Sequence, residues 1–218
     1  MAPRLRFIVY SDYLCPWCYN VDVRLRDLAE RYRGEVEYEY RSYLLRPHFK
    51  ESRNLEKFRA YTQSWSRPAG DADAGTFQIW QSDEGPPTHS IPAHLAAKAA
   101  ASVSHEAFEA MHDRLLRAYF SENQDISREW VLEGLWQELE LPADLFDLAR
   151  GDRFLPQVLS EHNEALEVGA TGVPAVRLEG NPAIIVGAHP KDLYERWITK
   201  SLERLDAADA DEDGTFDA

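Results

Sequence analysis

The sequence predicts an α/β domain interrupted once by an all-helical insertion. A strand–helix–strand run opens the chain, a long block of helical periodicity follows, and a helix–strand–strand–helix run closes it. Residues 1–54 then form the first half of the α/β unit, 55–152 the insertion with a loop at 67–88, 153–205 the second half, and 206–218 a disordered acidic tail.

Leu5–Tyr10 (LRFIVY) reads as a short buried strand. From Trp17 to Arg33 the apolar residues Trp17, Val21, Leu25, Leu28 and Tyr32 recur at helical spacing, and Gly34 supplies the stop. Glu35–Arg41 alternates, with Val36, Tyr38 and Tyr40 on one face, which predicts a second strand reached by a right-handed crossover. In the insertion, Leu55–Trp65 reads as a short helix, and Arg67–Thr88, rich in Gly, Pro and Asp, as a long loop. Helices are expected over Ile91–Ser102, Ser104–Tyr119, Ser127–Leu139 and Pro142–Ala149, with Ser104, Ser127 and Asp144 near their starts. Phe154–Val168 is a further amphipathic helix. Val173–Leu178 and Ala183–Val186 form a strand pair across the turn Glu179-Gly180-Asn181-Pro182. Pro190–Leu205 closes the fold as a helix, with Leu193, Trp197, Ile198 and Leu202 inward.

The formal net charge is −14, from 38 acidic against 24 basic side chains, a surface that repels phosphate backbones and argues against a nucleic-acid partner. Leu5–Tyr10 is too short for the core of a secretory signal, and no stretch approaches the ~20 apolar residues of a membrane span, so a cytoplasmic location without a membrane partner is expected.

The two cysteines stand in Cys15-Pro16-Trp17-Cys18, between a predicted strand and a predicted helix. Cys15 would occupy the helix N-cap and Cys18 the next turn, which brings both side chains to one side. Unpaired N–H groups and the positive end of the dipole favour a thiolate at Cys15, while Cys18, deeper in the helix, stays protonated and resolves a mixed disulfide. Pro16 suits the first helical position, where its missing N–H is not needed. The competing reading is a zinc half-site. It needs further ligands, and neither a second C-x-x-C nor a ligand-spaced histidine pair accompanies this one, so no metal is expected. The second motif is Thr171-Gly172-Val173-Pro174-Ala175, where a cis Val173–Pro174 bond would leave the Val173 backbone groups free to pair with an extended substrate.

The segments DYLCPWCY, GATGVPAV and IIVGAHP resemble the DsbA-like branch of the thioredoxin superfamily, in particular its FrnE-type proteins. Ala118–Ser127 (AYFSENQDIS) and Ala93-His94-Leu95-Ala96 resemble that branch's helical insertion, so the likeness runs to about Ser201. It implies a thioredoxin fold, in βαβ and ββα halves around the insertion, and thiol–disulfide exchange. Cys15 would be the nucleophile, Cys18 the resolving thiol and Pro174 the cis-proline, with Pro16, Trp17 and Val173 supporting the site. Trp17 stands where periplasmic DsbA carries histidine, which implies a less oxidising couple. The second cysteine pair of some FrnE-type members is missing, so a second relay is not expected.

Beyond the redox-active pair Cys15–Cys18 no cofactor is expected, with glutathione a candidate co-substrate. The partner would be a protein or small molecule bearing a thiol or disulfide, and an apolar face of the insertion would allow a homodimer. Two alternatives remain open at this stage. One is a glutathione-dependent isomerase or transferase of the 2-hydroxychromene-2-carboxylate isomerase or kappa type, relatives that use a serine where Cys15 stands. The other is a non-catalytic C-x-x-C binding module. His94 could face the active site or simply pack; Trp17 and Tyr19 could offer an apolar platform to substrate or pack beside the helix start.

Overall fold

The first strand, β1 (Leu5–Ser11), is the one on which the domain is arranged. The computed structural model describes residues 3–50 and 54–213, the last three by backbone alone. β1 pairs in parallel with β2 (Val36–Ser42) and antiparallel with β3 (Ala175–Leu178), and β3 pairs with β4 (Ile184–Val186), giving a four-stranded sheet in the order β2-β1-β3-β4. Its period of two sorts the core. Leu5, Phe7 and Val9 face Val21, Leu25 and Leu28 of α1 (Pro16–Arg31) and Tyr194 and Ile198 of α8 (Lys191–Asp213). Ile8 and Tyr10 pack on the opposite side with Ala165 and Ala170. α1 ends one turn's fraction before the expected Arg33: the Tyr32 N–H bonds the Leu28 carbonyl, and Gly34 turns the chain at φ +85° into β2.

The insertion holds α2 (Leu55–Thr62), α3 (Ile91–Val103), α4 (His105–Phe120), α5 (Glu129–Glu138) and the single turn α6 (Asp147–Arg150), before α7 (Leu155–Glu167) returns to the sheet. Trp65, Trp80, Trp136, Met111, Leu115 and Phe120 fill its core. A buried ion pair fastens it to the sheet: Lys98 Nζ lies 2.7 Å from Glu161 Oε1, and the Ser42 N–H donates to Glu161 Oε2 at 2.7 Å. That joins α3, α7 and the end of β2.

Several expectations change. Leu55–Trp65 is helical only to Thr62 and then tightens into a 3₁₀ turn over Gln63–Ser66, because the Thr62 hydroxyl donates to the Arg59 carbonyl and accepts from the Trp80 N–H. Pro142–Ala149 is no continuous helix but a 3₁₀ turn over Ala143–Leu145 followed by α6. The Trp136 indole N–H holds the Pro142 carbonyl at 2.9 Å, and the Leu145 and Phe146 amides close i→i+3 bonds instead of α-helical ones. Ser104 does cap α4, accepting from the Ala107 N–H, but Ser127 caps nothing: its hydroxyl donates to Asp125, and α5 starts at Glu129. The tail expected to be disordered from Asp206 is helical to Asp213. Ala207, Ala208 and Ala210 favour helix there, and Arg4 pairs with Asp206 at 2.5 Å, offsetting the acidic residues at the negative end of the dipole. Residues 214–218 lie outside the described ones.

The 67–88 segment is irregular as expected, yet tied down. Asn20 on α1 donates to the Pro68 carbonyl at 2.8 Å and accepts from the Gly75 N–H at 3.1 Å, and Arg24 reaches Asp71 and Asp73. Gly75 sits flat on the Tyr19 ring, where an added Cβ would meet ring carbons at 2.5 Å, and Tyr19 is backed by Phe120 at 5.6 Å. Gly75→Ala is therefore expected to cost about 1–3 kcal/mol in urea unfolding; an unchanged midpoint would show that the loop shifts freely.

Candidate active site

At the carboxyl end of β1 the chain must turn sharply before α1 can begin, and Asp12 organises that turn. Its carbonyl accepts from the Cys15 N–H at 3.0 Å. Its carboxylate, fully enclosed, accepts from the Leu14 N–H and the Leu45 N–H, each at 2.7 Å. Burial pushes the Asp12 carboxyl up to about 6, opposed by hydrogen bonds from Ser90, Leu14 and Leu45 and by the charge of Arg46.

The turn delivers Cys15 to the N-cap of α1. Its sulfur accepts from the Cys18 N–H at 3.3 Å, and its thiol donates to the Val173 carbonyl at 3.4 Å. Pro16 takes the first helical turn, where no N–H is required. Cys18 lies beside Cys15, and both thiols are free. Burial, then the neighbouring Cys15, pushes the Cys18 thiol well up, while the Asp12 N–H and the Ser11 hydroxyl pull the other way. Cys18 is thus a protonated thiol at neutral pH. Cys15 is 4% exposed and Cys18 2%, whereas Trp17 between them is 38% exposed. The Cys15 sulfur is thus nearly enclosed in the turn, and Trp17, one of the two candidate platform residues, stands exposed beside it. The other candidate for such a platform, Tyr19, is buried in the packing described above.

The strand β3 brings the second motif opposite. The Val173–Pro174 peptide bond is cis, Pro174 is buried, and the Val173 carbonyl faces the Cys15 sulfur. Cys15, Cys18, Val173 and Pro174 therefore come together. His94 does not join them. It is 4% exposed, its ring packs 5.0 Å from that of Tyr13, and no hydrogen bond of the described residues links it to either cysteine. Asp12 and Ser11 are the contributors that sequence reasoning passed over. An acidic residue two positions before a turn amide is the signal of an Asx turn, and it could have been read at Asp12-Tyr13-Leu14. Among the described residues no group of three or more His, Cys, Asp or Glu side chains is placed to hold a metal ion.

A family model for the DSBA-like thioredoxin domain matches residues 6–199. No curated protein matches the sequence. Among solved structures, a probable DsbA oxidoreductase from Streptomyces coelicolor is 22% identical with a TM-score of 0.74, over 91% of this chain and 90% of its own. The cytosolic disulfide reductase DsbM from Pseudomonas aeruginosa is 22% identical with a TM-score of 0.72, over 93% and 100%; it is also known with GSH, at 20% identity. A 2-hydroxychromene-2-carboxylate isomerase is 16% identical with a TM-score of 0.63, over 94% and 98%. At these identities the likeness to solved structures establishes the fold. No helix of the described residues is long and apolar enough to cross a membrane.

His94 has a measurable consequence. Burial, reinforced by the charges of Lys98 and His112, lowers it from 6.5 to about 3. A base depressed in the fold takes up its proton more readily on unfolding, so stability falls as the pH drops below 6.5. His94→Gln removes that slope and should lose less stability than the parent chain between neutral pH and about pH 4.5, by on the order of 2 kcal/mol in urea titrations. Parallel curves for the two proteins would contradict it.

Proposed function

We propose that this chain, which belongs to the DSBA-like thioredoxin domain family, is a thiol–disulfide oxidoreductase acting through Cys15 and Cys18 in the reductase or isomerase direction. The observation that carries this reading is the pair of contacts at one sulfur, the Cys18 N–H on one side and the Val173 carbonyl on the other.

Cys15 attacks as the thiolate, the nucleophilic form of a cysteine. The Cys18 N–H at the start of α1 faces that sulfur at 3.3 Å. The attack forms a Cys15–substrate disulfide and releases the substrate's other sulfur as a thiolate, which takes a proton. An extended substrate backbone can lie along Val173, as in strand addition, while Trp17 covers its apolar side chains. Cys18 then loses its proton and attacks the Cys15 sulfur. The Cys15–Cys18 bond forms, the bond to substrate breaks, and two electrons have passed from the dithiol to the substrate. The raised Cys18 pKa keeps this thiol from competing in the first step. The Asp12 N–H and the Ser11 hydroxyl, which pull the Cys18 thiol down, favour its thiolate when resolution requires it.

Glutathione fits as the reductant that restores the dithiol, in a cytoplasmic setting where the thiol pool is reducing. One fold neighbour, DsbM, is known with GSH. The substrate is a disulfide-bearing protein or small molecule.

Cys18→Ser should accumulate a mixed disulfide at Cys15 when mixed with a protein disulfide, seen by non-reducing electrophoresis and mass spectrometry, and Cys15→Ser should accumulate none. Failure of Cys18→Ser to trap any adduct sinks the reading. Equilibration with glutathione buffers should give a potential in the range of about −180 to −270 mV that suits isomerases and reductases. A value near about −120 mV would make the protein an oxidant and reverse the proposed direction. Catalysis that persists in Cys18→Ala with a strict requirement for glutathione would instead favour an isomerase or transferase.

A further inference from the structure

Beneath the turn that carries Cys15 runs a chain of buried polar contacts that the exchange steps above do not use. The Tyr13 hydroxyl lies 2.9 Å from His112 Nδ1, and His112 Nε2 lies 3.1 Å from Asp22 Oδ1. The same carboxylate oxygen accepts from the Tyr40 hydroxyl at 2.9 Å, and Oδ2 pairs with Arg26 at 3.0 Å. Tyr13 and His112 are 4% exposed and Asp22 2%. The three residues come from three places: the active-site turn, α4 of the insertion, and α1, the helix that begins at Cys15 and contains Cys18.

A small cavity adjoins them, lined by Ser11, Ser42, His94 and Lys98 as well as Tyr13 and His112. Its centre, about 10 Å³, admits a single water. Two buried atoms at its wall, Ser42 Oγ and His94 Nε2, have no protein partner. Ser11, at this wall, ends the strand that leads into the Cys15 turn. The polar cluster therefore meets the chain two residues before Cys15, at Tyr13, and on α1, at Asp22.

Such a cluster is a poor way to gain stability. Desolvating Asp22 and His112 offsets most of their attraction, and apolar residues of the same volume often do as well or better. What the cluster does supply is direction. Tyr13 is two residues before Cys15, inside a turn closed by the Asp12 carbonyl and the Cys15 N–H. Its ring lies between those of His94 and His112, and only the His112 contact fixes its hydroxyl among the hydrogen bonds of the described residues. Through Asp22 the same imidazole is bound to α1.

We propose that His112 is a positioning residue for thiol–disulfide exchange, holding the Cys15 turn through Tyr13 and registering it against α1 through Asp22. The insertion thereby sets where the Cys15 sulfur sits relative to the Val173 carbonyl. This inference rests on the exchange activity proposed above and extends it to the role of the insertion.

The test uses the full-length chain and its variants Tyr13→Phe, His112→Leu and the double substitution. Three quantities are read: the second-order rate of the reduced protein with a small aromatic disulfide, the equilibrium constant with glutathione, and the thermal midpoint. Tyr13→Phe and His112→Leu should each slow the reaction about tenfold and move the equilibrium constant by at least about threefold, whatever happens to the thermal midpoint. The double variant should be no slower than the slower single one, because both remove the same contact. Tyr13→Phe loses only a hydroxyl, so it decides the matter even where His112→Leu fails to fold. Rate and equilibrium constant within about twofold of the parent in Tyr13→Phe overturn the inference and leave the exchange activity standing. A parent chain that does not react with the disulfide at all removes both.

Discussion

The hydrogen bond from the Cys18 N–H to the Cys15 sulfur is the contact on which the site depends. An N-cap is ordinarily a hydroxyl or carboxylate whose oxygen satisfies an orphan amide. Here a sulfur takes that place, so the same atom that completes the helix is the one available for chemistry. Everything around it keeps that substitution in register. Asp12 closes the turn from below, Pro16 removes a donor that would have gone unpaired, and Val173 presents a carbonyl from just before the neighbouring strand β3. The helix cannot start one residue earlier or later without moving the sulfur away from all of these.

The insertion is more than an appendage to this arrangement. Its aromatic core encloses Trp65, Trp80 and Trp136 almost wholly and takes in Tyr13, Leu14 and Tyr19 from the active-site turn and α1. Its junction with the α/β unit is part apolar, with Tyr19 against Phe120 and Tyr40 against Phe108, and part polar. Lys98 with Glu161, and His112 with Asp22 and Tyr13, cross from one part to the other as buried directional contacts. Apolar packing tolerates sliding; a buried hydrogen-bonded pair does not, because a displaced partner leaves a desolvated charge. The two parts are thus held at one mutual orientation, and the turn with Cys15 lies at their boundary.

The elements that could be read from the sequence are those whose causes are local. Alternation marks β2 through Val36, Tyr38 and Tyr40, helical spacing marks α1, and C-x-x-C at a strand–helix junction marks the thiols, because each signal fits within a few residues. Val173 and Pro174 could be placed only through the accompanying motif and the family it resembles. Asp22, Tyr13 and His112 left no trace, since the partners are 90 and 99 residues apart and each is an unremarkable residue in its own segment. The acidic residues after Asp206 gave the opposite error. Composition there suggests disorder, whereas Arg4, at the other end of the chain, supplies the countercharge that lets α8 continue. The 67–88 segment shows the same limit: its Gly, Pro and Asp content predicts irregularity correctly but says nothing of Asn20 and Arg24, which give it a fixed course.

The order of the strands along the chain has a consequence for how the protein is made. β1 lies at the centre of the sheet, yet its antiparallel neighbour β3 is encoded far behind it, and Cys15 meets Val173 at a separation of 158 positions. During synthesis both cysteines leave the ribosome well before the carbonyl that faces Cys15. Until then the nascent chain carries a vicinal dithiol beside an unpaired central strand edge, a combination open to oxidation and to wrong strand partners. Closing so distant a contact is also slow relative to forming the local helices of the insertion. The free edge of β1 therefore waits for a strand that is made much later.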